Sequence, residues 1–161
     1  MNLTIIAAIG RKRELGKDND LCWRIREDLR FFHEQTLGKY IIMGEKTYYS
    51  LPRRLEGRRY LVLSPNLRQI DEGLVFSNLD EFLAFARQTD EEIMVCGGGM
   101  VYKLLLPFTN KMILTEIDDE DAGATVFFPE YDKNDWQIER EENFSQGEIN
   151  YKRVVYKRNI I

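Results

Sequence analysis

Apolar positions along the chain gather into short continuous runs separated by stretches of mixed character. The runs at 3–9, 40–43, 60–63, 93–96 and 112–117 read as buried strands, and their unbroken apolar character implies cover on both faces. Between them, apolar residues recur three and four positions apart. Ile25, Leu29 and Phe32 form one such set, Phe82, Leu83, Phe85 and Ala86 a second, and Val101, Leu104 and Leu105 a third; each predicts a helix. This alternation predicts an α/β fold with a central, mostly parallel sheet and helices on both faces. After residue 135 the pattern changes. Trp136-Gln137-Ile138-Glu139 and Ile149-Asn150-Tyr151-Lys152 alternate apolar and polar around Ser145-Gln146-Gly147, which predicts an antiparallel hairpin at the edge of the sheet.

Composition narrows the function classes. The 161 residues contain no repeat, low-complexity tract or dividing linker, so one domain over 1–161 is expected. A net charge of −4 argues against nucleic acid as a partner, because phosphate binding needs a clustered basic face. Cys22 and Cys96 stand in neither CxxC nor Cys/His ligand spacing, so they predict a reduced thiol pair with no disulfide and no metal site. No basic segment precedes the first apolar run, and no run approaches the roughly 20 residues of a membrane span. A soluble, cytoplasmic monomer is the expectation.

One carboxylate stands out. On a helix, Ile25, Asp28 and Phe32 share a face, so Asp28 edges an apolar stripe. An ionised carboxylate there needs a partner, and a ligand with matching donors could be one. A surface aspartate in a first helical turn, favoured by the helix dipole, would leave the same trace.

A longer ordered set of residues separates these readings. Ile6-Ala7-Ala8, Leu15-Gly16, Asn19, Leu21, Trp23, Asp28-Leu29, Phe32, Thr36 and Ile42-Met43-Gly44 are followed by Lys46-Thr47, Ser50-Leu51 and Gly57-Arg58. Leu63-Ser64, Cys96-Gly97-Gly98-Gly99, Tyr102, Leu114-Thr115 and Phe128-Pro129 complete the set. In order and spacing it resembles the bacterial dihydrofolate reductases, from the first strand to the start of the hairpin. The resemblance implies reduction of 7,8-dihydrofolate to tetrahydrofolate by hydride from NADPH, in support of one-carbon metabolism. Two other readings stay open: a reductase of another pteridine or a flavin precursor, and a nucleotide- and folate-binding module without turnover.

By this resemblance, Asp28 is the catalytic carboxylate and accepts hydrogen bonds from ring N3 and the 2-amino group of the pteridine, while water brings the proton to N5. Thr115 would hold a water or hydroxyl contact behind Asp28. Leu29, Phe32, Leu51 and Leu55 would line the slot for the ring and benzoyl tail, and Ile6 and Cys96 would offer backbone carbonyls to the pteridine amino group. Arg58, and with less support Arg53, would pair with the glutamate carboxylate; a solvated basic face over 53–59 is the plainer alternative. On the cofactor side, Gly97-Gly98-Gly99 before a helix that carries Met100, Val101 and Tyr102 would approach the pyrophosphate. Gly44, Lys46 and Thr47 would repeat that arrangement, and Leu63 and Ser64 would meet the adenosine. Residues 10–21 would close over the nicotinamide, with Gly16 as a flexible point, Ala8 and Leu15 on the carboxamide, and Asn19 and Leu21 alongside. A simple turn would explain the glycines equally well.

Four positions depart from the family pattern. Glu45 and Met100 stand where arginines usually meet the 2′-phosphate, so NADPH is favoured but NADH is admitted. Cys22 replaces the proline before Trp23, freeing an amide and a rigid φ. Ala124 replaces the aspartate that ties a second loop to the mobile one, which predicts a weaker closed state and slower hydride transfer with unchanged folate affinity. The single histidine, His33, reads as exposed, and Asp118-Asp119-Glu120-Asp121 reads as a solvated turn.

Overall fold

The structure, a computed structural model, describes residues 1–18, 20–51 and 55–160. The first apolar run forms strand β1 (Leu3–Ile9) in the interior of an eight-stranded sheet. It pairs in parallel with β7 (Ile93–Val95) on one side and β8 (Lys111–Ile117) on the other. Beyond β7 the sheet continues in parallel through β4 (Tyr40–Gly44), β5 (Arg59–Leu63) and β6 (Gly73–Phe76). Beyond β8 it turns antiparallel, through β11 (Ile149–Arg158) to the edge strand β10 (Trp136–Gln146).

Alternate side chains of these strands point to opposite faces, and each face has its own helices. Leu3, Ile5, Ile42, Val95 and Leu114 pack with Phe82, Leu83 and Ala86 of α3 (Leu79–Arg87) and with Val101, Tyr102 and Leu105 of α4 (Gly99–Leu105). On the other face, Ile6, Ile41, Met43, Val62 and Ile113 meet Phe31 and Phe32 of α1 (Arg26–Thr36) and Tyr48 of α2 (Glu45–Ser50). Full burial of a large apolar side chain contributes roughly 1.5–3 kcal/mol, so continuous apolar strands are stable only with this two-sided cover. Among the described residues, no helix is long and apolar enough to cross a membrane.

The boundaries differ from the sequence pattern in instructive places. Strand β6 was not expected; at the sheet edge Gly73 and Leu74 are exposed, and only Phe76 is buried. A second sheet joins β3 (Asp20–Leu21), β2 (Glu14–Lys17) and β9 (Val126–Phe127) in that order, all too short to show a period. The hairpin strands run through Gln146 and from Ile149, so the turn is Gly147-Glu148, with Gly147 at φ +62°. Because β11 pairs with β8 as well as β10, Arg153 lies directly across from Thr115.

Candidate functional site

A cavity of about 820 Å³ opens where the chain leaves the carboxyl ends of β4, β5 and β7, the usual place for ligands in open α/β sheets. One part is bounded by Asp28, Leu29 and Phe32 of α1, by Ile6 and Thr115 of the sheet, and by Leu51, Leu55 and Cys96. The other runs past Ala8, Leu15, Gly16, Leu21, Gly44, Lys46, Thr47, Leu63 and Ser64 to Gly97, Gly98, Gly99, Met100, Val101 and Tyr102. Nearly every residue singled out in the sequence therefore meets in one wall. Asn19 and Arg53 lie outside the described residues.

Asp28 sits in the first turn of α1, whose capping residue Ile25 makes no side-chain cap bond. Its Oδ1 accepts two hydrogen bonds, from Thr115 Oγ1 at 2.5 Å and from Arg153 Nη2 at 3.0 Å. The carboxylate side chain is only 16% exposed, and among the described residues Oδ2 accepts no hydrogen bond from a protein donor. The hydroxyl contact expected of Thr115 is thus direct. Behind the same region the Tyr102 phenol donates to the Ile6 carbonyl at 2.7 Å, and burial holds that phenol well above its ordinary range. Burial likewise pushes the Cys96 thiol up, which leaves it a neutral wall group.

The glycines are required by close approach. A Cβ on Gly97, at φ +107°, would lie 3.1–3.2 Å from the Tyr102 ring; one on Gly98 would lie 3.3 Å from Thr47 Oγ1, and one on Gly99 2.9 Å from Val126. The glycines thus let the chain pass close to Tyr102, Thr47 and Val126 beside the first turns of α2 and α4. Gly16 has a steric role rather than that of a flexible point. It is paired to Leu21 and to Val126, and a Cβ there would meet the Asp20 carbonyl at 2.4 Å.

Two departures from the family pattern now have geometry. Ser64 Oγ donates to Glu45 Oε2 at 3.0 Å while accepting from the amides of Asn66 and Leu67, so its single hydroxyl proton is directed at a carboxylate. At Ala124 the two loops are joined through its neighbours. Lys17 pairs with Asp121 at 2.7 Å, the Trp23 indole donates to Asp119 at 3.0 Å, and the Thr125 amide donates to the Gly16 carbonyl at 3.0 Å. Lys17 and the Gly123 amide hold the Asp121 carboxyl below its ordinary range, whereas burial and Asp121 push the neighbouring Cys22 thiol up.

Arg58 is not part of the cavity wall. Its Nε donates to Thr36 Oγ1 at 3.1 Å, Nη1 to the Glu56 carbonyl at 2.5 Å, and Nη2 to the His33 carbonyl, so it caps the C-terminal end of α1. His33 is exposed, as its polar flanks suggested. Arg153 was missed altogether. The alternation that marked the hairpin could have found it, since Tyr151, Arg153 and Val155 share a face on which a cation is out of place. Lys17, Asp20, Arg24 and Phe31 also line the cavity without a sequence signal.

Comparison with known proteins agrees with this architecture. The family model for dihydrofolate reductase matches residues 2–158. The chain is 38% identical over 151 residues to the dihydrofolate reductase of Haemophilus influenzae, covering 93% of this chain and 92% of that protein. It is 41% identical over 138 residues to dihydrofolate reductase type 3 of Salmonella typhimurium, covering 85% and 84%. A solved structure of the Enterococcus faecalis dihydrofolate reductase, complexed with NADP(H) and RAB-propyl, superposes with a TM-score of 0.89 at 29% identity over 99% of this chain and 97% of that one. The chain belongs to the dihydrofolate reductase family.

Proposed function

We propose that the described cavity holds dihydrofolate and NADPH side by side, with Asp28 as the carboxylate that orients the pteridine. The activity is that of the family, reduction of 7,8-dihydrofolate to 5,6,7,8-tetrahydrofolate. One observation carries the assignment to Asp28: a carboxylate beside Ile6, Leu29, Phe32 and Leu51, with Oδ1 held by Thr115 and Arg153 and Oδ2 accepting from no protein donor among the described residues. Two parallel N–H donors, such as ring N3 and the 2-amino group, complete its hydrogen bonding. Leu29, Phe32, Leu51 and Leu55 give the ring and benzoyl tail an apolar slot, and the Ile6 and Cys96 carbonyls suit the amino group on the ring's other edge.

NADPH supplies the hydride when bound. Gly97-Gly98-Gly99, Gly44 and Thr47 line one part of the cavity at the starts of α2 and α4, where backbone amides suit a pyrophosphate. Lys46 would offer positive charge toward the adenosine phosphate. The strip formed by Leu15 and Gly16 of β2, which pairs with β9, and Leu21 of β3 covers the part of the cavity next to Ala8 and keeps bulk water from the transfer. Asp28 fixes the ring while water brings the proton to N5. A monomeric, cytoplasmic protein of one domain over 1–161, without nucleic-acid partners, fits this reading.

Asp28→Asn tests the assignment. Loss of the charge should lower kcat for dihydrofolate by about 10²–10³, the range for removing one preorganised polar group from a site, with the fold retained by circular dichroism. Near-normal turnover would remove Asp28 from the role.

A further inference from the structure

Arg153 is the unexplained group in this site. It reaches from β11 across the sheet to Asp28 Oδ1, and among the described residues this is its one ion pair. The guanidinium is clamped between two aromatic rings, Phe31 of α1 at 3.6 Å and Phe144 of β10 at 4.8 Å. Its side chain is 11% exposed, and among the described residues its buried Nε has no hydrogen-bond partner. A cation desolvated this far is held there by its carboxylate and by the two π faces. It sits opposite Thr115 in the β11–β8 ladder, so both groups approach the same carboxylate oxygen from one side.

We propose that Arg153 is a positioning and specificity-determining residue of the reductase, turning Asp28 Oδ2 toward the substrate and offsetting its charge so that the site prefers a neutral pteridine to a cationic ring. The inference rests on Asp28 being the pteridine carboxylate. Two donors on Oδ1 restrict rotation of the carboxylate, which leaves the free oxygen in one orientation before substrate arrives. The second consequence is electrostatic. An unpaired carboxylate attracts a ring cation more than a neutral ring of the same shape, and a fixed guanidinium 3.0 Å from the carboxylate removes much of that advantage. Arginine performs both tasks because its planar head fits between Phe31 and Phe144 while one nitrogen still reaches Oδ1.

The test compares two ligands in the full-length protein: dihydrofolate, whose ring is neutral, and a 2,4-diaminopyrimidine at a pH where its ring carries a proton. Arg153→Met keeps the apolar stem and removes the charge. The expected result is a kcat/KM for dihydrofolate lowered about tenfold together with a ratio of cation to dihydrofolate affinity raised about tenfold. Arg153→Lys should return the affinity ratio toward the parent value while restoring kcat only in part, since charge is kept and stacking is lost. A parallel fall in both affinities, or an unchanged ratio, would overturn the proposal, because a merely structural arginine would weaken both ligands alike. Should Arg153→Met fail to fold, Arg153→Gln read against Arg153→Lys gives the same ratio. Asp28→Asn measured alongside separates the two ideas. Retained activity there removes the underlying site, whereas lost activity with an unmoved Arg153 ratio removes this inference alone.

Discussion

The amide of Asp121 donates to the carboxylate of Glu14 at 2.7 Å, across 107 residues of sequence. Glu14 is 2% exposed, and its other oxygen accepts from the Lys12 amide at 2.7 Å, so one buried side chain satisfies two loops. Gly10 makes room for it; a Cβ there would lie 2.5 Å from Glu14 Oε1. Glu14→Ala leaves both amides without their acceptor and should cost about 2–3 kcal/mol in urea unfolding. Hydride transfer should slow as well, because β2 and β9 are then held by fewer contacts. Ala124→Asp, by contrast, adds a carboxylate where Lys17 and Asp121 already join the loops. Single-turnover kinetics of the two variants check this: a larger effect from Ala124→Asp than from Glu14→Ala would refute the assignment of the tie to Glu14.

The Ser64–Glu45 bond yields a prediction about the cofactor. Glu45 accepts the serine's hydrogen bond, and by the family pattern its charge would stand beside a 2′-phosphate. Glu45→Arg frees Ser64 and reverses the charge, so NADPH affinity should rise about tenfold with NADH affinity nearly unchanged. Equilibrium titration of nicotinamide fluorescence measures both. Equal gains for the two cofactors would mean that the 2′-phosphate is not what Glu45 meets.

Much of this site was legible in the sequence because its parts are local. Strand β7, ending at Val95, and helix α4, beginning at Gly99, are neighbours in the chain, and Asp28 shares a helix with the apolar residues Leu29, Phe31 and Phe32. The family resemblance supplied the rest of that wall. For Arg153 the alternation of the hairpin marks a cation on an apolar face, but its partner lies 125 residues away and depends on the β11–β8 register, which no period reveals. The loop ties escaped notice for the same reason; Ala124 was conspicuous, but the compensating Lys17, Glu14 and Asp121 look like ordinary surface charge. Arg58 shows the reverse case. Its position suggested a ligand contact, and nothing local indicated that Thr36 and two carbonyls would take three of its donors.

Acid should weaken the edge of the fold near Glu92. This carboxylate accepts from Thr4 Oγ1 and Lys39 Nζ, each at 2.6 Å. Its burial pushes the carboxyl upward, but the Lys39 and Thr4 bonds outweigh that and hold it below the ordinary glutamate range. The folded state therefore binds the proton less readily than the unfolded chain. Its contribution is present above the unfolded value of about 4.3 and is lost as pH falls through the lower folded value. Glu92→Gln should cost about 1 kcal/mol at pH 7, a figure reduced because the group is partly solvated, and should flatten the fall in stability below pH 5. Urea midpoints at pH 7 and pH 3.5 decide the matter; curves that stay parallel would assign the acid sensitivity elsewhere.

Arg58 caps the end of α1, and one substitution tests whether it also meets the substrate's glutamate carboxylate. Of the five N–H groups of a guanidinium, three are used on Thr36, Glu56 and His33. The two that remain, one on each terminal nitrogen, form the pair a carboxylate accepts in parallel, although Nη2 also lies 3.4 Å from His33 Nδ1. Arg58→Lys keeps the charge but cannot cap α1 and offer a parallel pair at once. Its cost to folding should be about 1–2 kcal/mol from the lost helix-end bonds. Its cost to binding should depend on the substrate: KM for dihydrofolate should rise about tenfold, equivalent to about 1.4 kcal/mol, while KM for dihydropteroate, which lacks the glutamate, should stay near the parent value. If both substrates weaken together, the arginine serves the site only by holding the end of α1; if neither does, the glutamate carboxylate is bound elsewhere.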